Sequence, residues 1–313
     1  MATVHQKDGT AAMQAWMTNL APQLHQVPLC CLAIPGTHNA GMYHLEKSLG
    51  LSPDADDALK SFTSLPLFGP MAMEIIGKWS KTQNLSIAQQ LEAGVRYFDL
   101  RVGCGGPDGD LYIVHSLFGP KVWDCIEDIC VFLQNHPREV VLLDFNHFYN
   151  METEHHLQLI TFIISKLQSN LCPVSLLEQT TLVNLWGKQQ QTIVFYQHEL
   201  VQEFRDLWPA TSIASPWAST TNVDDCLVFQ EKFAKQRHTE GKFHVCQLVL
   251  TPNTPFILQN IGNDLLHACA CKINPRISSW IQSCSMKGHT GCIYAVDFVE
   301  MDHIIESIIQ LNV

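Results

Sequence analysis

Four groups with complementary acid–base character stand at the ends of apolar runs in this chain: His38, Arg101, His115 and Asp297. Imidazole has a pKa near ~6.5, so of two histidines at one site one can accept a proton while the other donates it. Arg101 offers a planar fork of donors suited to a phosphate. Asp297 could fix the tautomer of one imidazole and raise its basicity. A histidine pair with a cation is what cleavage of a phosphodiester by an internal hydroxyl requires: a base, an acid and a charge to offset the growing oxyanion. His147, His198, Asp144 and Asn146 occupy comparable positions, and spacing alone does not rank them below the first four.

Such groups need rigid positioning. The run Pro28-Leu29-Cys30-Cys31-Leu32-Ala33 reads as one buried strand, which Pro35-Gly36 breaks to leave Thr37, His38 and Asn39 at its carboxyl end. Residues 95–102 carry Asp99 and Arg101 at alternate positions, so both side chains leave one face. Residues 111–114 run into His115, 140–147 start apolar and end polar, 192–196 end near His198, and 293–296 end at Asp297. A seventh strand is expected over 243–250. Runs this continuously apolar predict a parallel sheet covered by helices. Helical spacing over 85–91, 123–132, 155–167 and 303–311 fills the intervals. Alternation of strand and helix predicts a single (β/α) barrel, complete or distorted, over residues 16–311, with 1–15 as a short extension. A doubly wound open sheet is the alternative, but no Gly-rich dinucleotide turn follows any strand.

Composition narrows the function classes. The net charge of −11 argues against nucleic acid, whose recognition needs a basic face. It also disfavours attachment to anionic lipid by bulk charge, although Lys78 and Lys81 flank Trp79. The first residues lack the basic and apolar segments of a secretory signal, and no apolar run approaches the ~20 residues needed to span a bilayer. A cytoplasmic protein is expected, with nuclear residence or peripheral membrane attachment left open. The twelve cysteines include no Cys-x₂-Cys pair and are expected to be small core residues rather than zinc ligands or disulfides.

Several longer stretches resemble the X domain of phosphatidylinositol-specific phospholipase C. They are Ile34-Pro35-Gly36-Thr37-His38-Asn39, residues 90–101 (QLEAGVRYFDLR), Tyr112-Ile113-Val114-His115 and residues 136–149 (HPREVVLLDFNHFY), in that order. Leu207-Trp208-Pro209, Pro216-Trp217-Ala218 and Val296-Asp297-Phe298 add support. The whole chain is similar to the animal family that contains only that domain. The resemblance implies a barrel that cleaves the phosphodiester of phosphatidylinositol lipids at a membrane surface. The inositol 2-hydroxyl would attack phosphorus, with His38 as base assisted by Asp297 and His115 as acid on the leaving glycerol oxygen. Asp99, His147 and Tyr196 complete the expected site as head-group contacts.

Two departures from the family pattern bear on mechanism. Asn39 and Asp99 match two calcium ligands of the large eukaryotic enzymes, but Arg101 and Phe145 stand at the other two. A guanidinium cannot ligate a cation, and two oxygen ligands fall short of the six to eight calcium takes. No metal or other cofactor is therefore expected. Arg101 matches the metal-independent bacterial enzymes instead. Those enzymes, however, place an Asp where this chain has Asn39, and that Asp supports the acid histidine. With no charge on Asn39, Asp99 is the first alternative support for His115. The competing readings are a lipid- or inositol-phosphate-binding protein with little turnover, and a barrel phosphodiesterase acting on glycerophosphodiesters. The apolar segment 65–79 is read either as a core helix, on the spacing of Met71, Ile75 and Trp79, or as a rim whose Leu67, Phe68 and Met71 enter the bilayer.

Overall fold

Continuous apolar runs become strands buried on both faces. The computed structural model describes residues 13–63, 69–106, 108–236, 241–289 and 291–312. Its strands are β1 (Ile34–Thr37), β2 (Tyr97–Gly105), β3 (Asp110–His115), β4 (Leu117–Lys121), β5 (Val141–Tyr149), β6 (Thr192–Tyr196), β7 (Ile213–Ala214), β8 (Phe243–Gln247) and β9 (Ile293–Val296). Parallel pairing runs β7-β8-β9-β1-β2-β5-β6. Alternate residues face two different apolar layers. Ile34, Tyr97, Leu142, Phe195, Phe243, Val245 and Ile293 fill the inside of the curved sheet. Phe98, Leu143, Val194, Tyr196, Cys246 and Val296 face the surrounding helices.

The ring is not closed by a ladder. Among the described residues no strand pairing joins β6 to β7; Trp208 adds a single bridge to β6, donating its backbone N–H to Val194 O (2.7 Å) and accepting from Tyr196 N (2.9 Å). This is the distorted form of the expected barrel.

The helices are α1 (Asp57–Thr63), α2 (Gly69–Ser80), α3 (Ile87–Ala93), α4 (Val122–Asn135), α5 (Thr153–Leu167), α6 (Leu182–Gly187), α7 (Val223–Gln236), α8 (Thr254–Gln259), α9 (Cys271–Met286) and α10 (Ile304–Ile309). Ser86 caps α3 in a reciprocal pair with Gln89, and Gly94 ends it in the left-handed conformation at φ 112°. None of the described helices is long and apolar enough to cross a membrane.

Two expectations need correction. The first strand is Ile34–Thr37 rather than 28–33, where a 3₁₀ turn forms over Leu29–Cys31. The Pro-Gly pair lies inside the strand because the neighbour demands it. A Cβ on Gly36 would stand 2.8 Å from Tyr97 Cδ1, and Pro35 keeps the acceptor that pairing needs, taking the Arg96 N–H at 2.9 Å. The second correction concerns β3, which is antiparallel to β2 and is followed by antiparallel β4. His115 thus arrives on a hairpin laid beside the ring. The segment 65–79 divides: Leu67 and Phe68 lie outside the described residues, while 69–80 form α2, with Ile76 and Trp79 buried and Met71 61% exposed.

At the amino-terminal end of β2 and β5, Arg96 and Glu139 form a fully buried ion pair, Nη2 to Oε2 2.9 Å. The remaining Arg96 donors go to Leu91 O, Val95 O and Gln14 O. Glu139 also accepts from the backbone of Met17 and Thr18. Each charge is compensated by several hydrogen bonds, the condition under which a buried pair is tolerated.

Candidate active site

The loop after β1 is pinned before it presents any side chain. The His38 N–H donates to Val296 O of β9 at 3.1 Å. Gln83 Nε2 donates to both His38 O (3.0 Å) and Val296 O (2.9 Å). Gln90 Nε2 holds Ala40 O at 2.8 Å, and its Oε1 accepts from Thr37 Oγ1 at 2.9 Å. Two buried amides therefore fix the carboxyl ends of β1 and β9 against each other.

His38 lies between an acid and a base partner. Its Nδ1 is 2.8 Å from Asp297 Oδ1, and its Nε2 is 3.1 Å from Arg101 Nη2. A guanidinium only donates, so Nε2 is the acceptor and Nδ1–H donates to Asp297. Asn274 Nδ2 holds the Asp297 backbone carbonyl at 2.9 Å. Asp99 sits below Arg101, 3.7 Å from Nη2, and accepts from Asn146 Nδ2 at 2.6 Å. Burial works against the Asp99 carboxylate, but Arg101, His38 and Asn146 together hold it below the ordinary range. One layer deeper, burial lifts Asp144 to about 6, with Tyr97 and Gln197 donating to it at 2.7 Å each. Trp217 covers this group, its ring centroid 5.2 Å from that of His38 and 5.8 Å from the guanidinium carbon of Arg101.

His115 faces His38 across the cavity, with ring centroids 6.3 Å apart and planes at 79°. Its Nδ1 donates to Ser80 O at the end of α2 (3.1 Å), which leaves Nε2 for the cavity. Burial, and after it the positive fields of Arg101 and His38, lower its affinity for a proton; the Ser80 bond and the Asp54 carboxylate act in the other direction. Asp54 accepts the N–H of Ser116 at 2.7 Å and also the hydroxyl of Ser52. Ser116, at φ 61°, is the left-handed residue that turns β3 into β4. Asp54 thus secures the turn that carries His115.

His38, Asp99, Arg101, His115, His147 and Asp297 line one cavity of about 1050 Å³. Asn39 lies behind it at φ 42°, fully buried, with neither side-chain amide atom hydrogen-bonded among the described residues. Tyr196, expected as a head-group contact, does not line this cavity. Strand alternation turns it outward to α5, where its hydroxyl meets His156 Nδ1 at 2.7 Å, and Gln197 takes the cavity position instead. His198 stacks on His156 outside the cavity, centroids 3.8 Å apart.

Sequence reasoning missed Asp54, Ser80 and Gln83. Ser80 acts through a backbone carbonyl, which no residue type announces. Asp54 lies in the polar turn Ser52-Pro53-Asp54, a turn signature that says nothing of what the carboxylate faces. The support expected from Asp99 goes to Arg101 and His38, and Asp54 is the carboxylate acting on His115.

No protein-family model matches the chain. PI-PLC X domain-containing protein 2 of Mus musculus is 38% identical over 300 residues, which cover 95% of this chain and 87% of that protein. PI-PLC X domain-containing protein 3 of Danio rerio is 36% identical over 300 residues, covering 95% and 92%. Among solved structures, the phosphatidylinositol-specific phospholipase C from Listeria monocytogenes aligns with a TM-score of 0.66 at 18% identity, over 96% of this chain and 99% of that one. A mutant of the Staphylococcus aureus enzyme gives 0.65 at 17% identity, over 96% and 97%. Those two likenesses establish the fold, a TIM-like barrel.

Proposed function

The chain belongs to the PI-PLC X domain-containing proteins, and from that premise we propose that it is a metal-independent phosphoric diester hydrolase acting on phosphatidylinositol lipids, with residues 16–311 as the catalytic unit. The observation that carries this proposal is the placement of His38 between Asp297 and Arg101, with His115 on the opposite side of the same cavity. His38 Nε2 takes the proton of the inositol 2-hydroxyl as its oxygen bonds to phosphorus. The bond from phosphorus to the glycerol oxygen breaks, and His115 Nε2–H gives that oxygen its proton. Diacylglycerol leaves and a cyclic inositol phosphate remains. Water then opens the ring with the two histidines exchanging roles. Asp297 holds the Nδ1–H of His38 and stabilises the imidazolium formed in the first step.

Arg101 takes the place a cation would need. Its guanidinium lies 3.7 Å from Asp99 and 3.1 Å from His38, so calcium at Asn39 and Asp99 would meet a fixed positive charge. On substrate binding the same N–H groups turn to the phosphate, freeing His38 Nε2 for the hydroxyl and offsetting charge on the equatorial oxygens. The protein is read as a cytoplasmic one that reaches its substrate peripherally; Leu258 and Ile261, which line the cavity, are 59% and 45% exposed, and Met71 on α2 is 61% exposed.

Replacing His38 or His115 by Ala is expected to cut turnover of phosphatidylinositol in detergent micelles by ~10² or more, with the fold retained by circular dichroism. Near wild-type turnover in either variant removes that residue from the mechanism. A second reading, a lipid-binding protein with little turnover, is favoured by the lowered proton affinity of His115. It predicts inositol lipid binding without product in the unmodified protein.

A further inference from the structure

Two local preferences of the chain are overridden on either side of one hydrogen bond. On one side, Asn274-Pro275 stands inside α9. The pair favours turns, proline brings no N–H to the helix ladder, and the residue before it is pushed away from helical angles. A π turn over Leu266–Ala270 leads directly into α9, and its extra residue rotates the side chains that follow by ~100°. Ile273, Ile277 and Ile281 form the buried stripe of the helix. Asn274, also fully buried, lies beside that stripe against the carboxyl end of β9. On the other side, Phe298 follows Asp297 at φ 49°, left-handed backbone that is costly for a bulky side chain. Its ring is buried in the core.

The bond between them runs from Asn274 Nδ2 to Asp297 O at 2.9 Å, and the same amide reaches Phe298 O at 3.5 Å. A carbonyl only accepts, so the nitrogen end must face these oxygens. Asn274 Oδ1 is then left buried with no donor among the described residues. An apolar side chain would avoid that cost, so packing does not account for the asparagine. The opposite face of the turn is also held: the Phe298 N–H donates to Thr82 O at 2.8 Å and the Val299 N–H to Gln83 Oε1 at 3.3 Å. Between the two sets of bonds stands the residue whose Oδ1 meets His38 Nδ1 at 2.8 Å.

Strained backbone persists only where its surroundings over-determine it, and such strain gathers at active sites. Resting on the proposed hydrolase reading, we propose that Asn274 is a positioning residue that clamps the left-handed Asp297–Phe298 step and so keeps the Asp297 carboxylate on Nδ1 of His38. Its effect is concentrated at one proton. With the clamp in place, the Nδ1–H of His38 sits in a short, charge-assisted bond away from water. When the step relaxes, that bond is lost, and the imidazolium formed as His38 takes the hydroxyl proton loses its counter-charge.

The test reads that proton by NMR in the full-length protein with isotope-labelled histidine, the His38 signals being assigned by their absence from His38→Ala. The unmodified protein should show a low-field Nδ1–H resonance for His38. In Asn274→Leu, which keeps the branched shape of the amide without its donor, that resonance should move upfield or vanish by exchange with water. In the same variant kcat/KM on phosphatidylinositol should fall by ~10–10²-fold. Introduced into Asp297→Ala, the substitution should change kcat/KM by less than about twofold, because the group through which it acts is gone. Asn274→Ser, too short to reach the carbonyl, gives the same reading where leucine is not accommodated. Absence of the low-field resonance from the unmodified protein overturns the clamp. An unchanged resonance in the Asn274 variants overturns it too, as does an equal loss of rate with and without Asp297. The resonance needs no turnover to be read, which keeps the two ideas apart. Its loss on substituting Asn274, in a protein that cleaves nothing, defeats the hydrolase reading and leaves the clamp standing. Turnover in a protein whose His38 proton ignores Asn274 does the reverse.

Discussion

His115 sets the pH behaviour of the site. A general acid works only while protonated, and burial, followed by the field of Arg101, lowers its proton affinity. The alkaline limb of kcat/KM, which reports the free enzyme, should therefore lie below the ~6.5 of an unperturbed imidazole. Asp54 opposes that shift and anchors Ser116. In Asp54→Asn the limb is expected to move further towards acid, with kcat/KM at neutral pH lower by ~3–10-fold and recovered as pH falls. A uniform loss at every pH would reduce Asp54 to a scaffold for the turn. At this scale the sequence was legible where chemistry and strand position coincide: His38, Arg101, Asp99, His115 and Asp297 share the cavity. It was illegible where support comes through a backbone atom or a distant turn, as with Ser80 and Asp54. Tyr196 shows a third limit, since a strand-end residue one position out of phase faces the helices.

The elements hold the site through their opposite ends. Arg96 and Glu139 lie just before β2 and β5, strands that carry Arg101 and Asn146 further along. Glu139→Gln leaves the buried guanidinium without its counter-charge and is expected to cost ~3–5 kcal/mol in denaturant unfolding. The exposed pair Lys287–Glu231 has a similar 2.9 Å separation, yet Glu231→Gln should change stability by no more than ~1 kcal/mol. Equal effects would mean that burial does not decide the worth of these pairs. Continuous apolar runs made the parallel strands legible to within a few residues. The position of β3 was legible too but its antiparallel direction was not, because hairpin and crossover strands share one apolar pattern. Nor was the two-residue β7, too short to show any periodicity.

For the whole molecule, a net charge of −11 disfavours attachment to anionic lipid by bulk charge, so the proposed peripheral binding rests on apolar burial. Leu258 on α8 and Ile261 just beyond it are exposed where they line the cavity, and exposed Met71 lies on α2 one turn before the lining residue Ile75. Burying each is worth ~1.5–3 kcal/mol, enough together for reversible peripheral binding. Serine at all three positions should weaken binding to phosphatidylcholine vesicles containing phosphatidylinositol by ~10² or more, with little change in Tm. Retained binding in that variant would place the membrane contact elsewhere. The barrel class was legible because alternating strand and helix patterns spanned the chain. Its open seam between β6 and β7, where Trp208 bridges to Phe195 of β6 alone, is marked by no local pattern.

The central claim, metal-independent attack by the inositol 2-hydroxyl between two histidines, is tested most directly by phosphorus NMR of a phosphatidylinositol reaction run with excess chelator. The expected result is a resonance of cyclic inositol phosphate that grows at the same rate with or without added calcium, and is absent in His38→Ala. An absolute requirement for calcium, or acyclic inositol phosphate appearing with no cyclic species at any time, would contradict it.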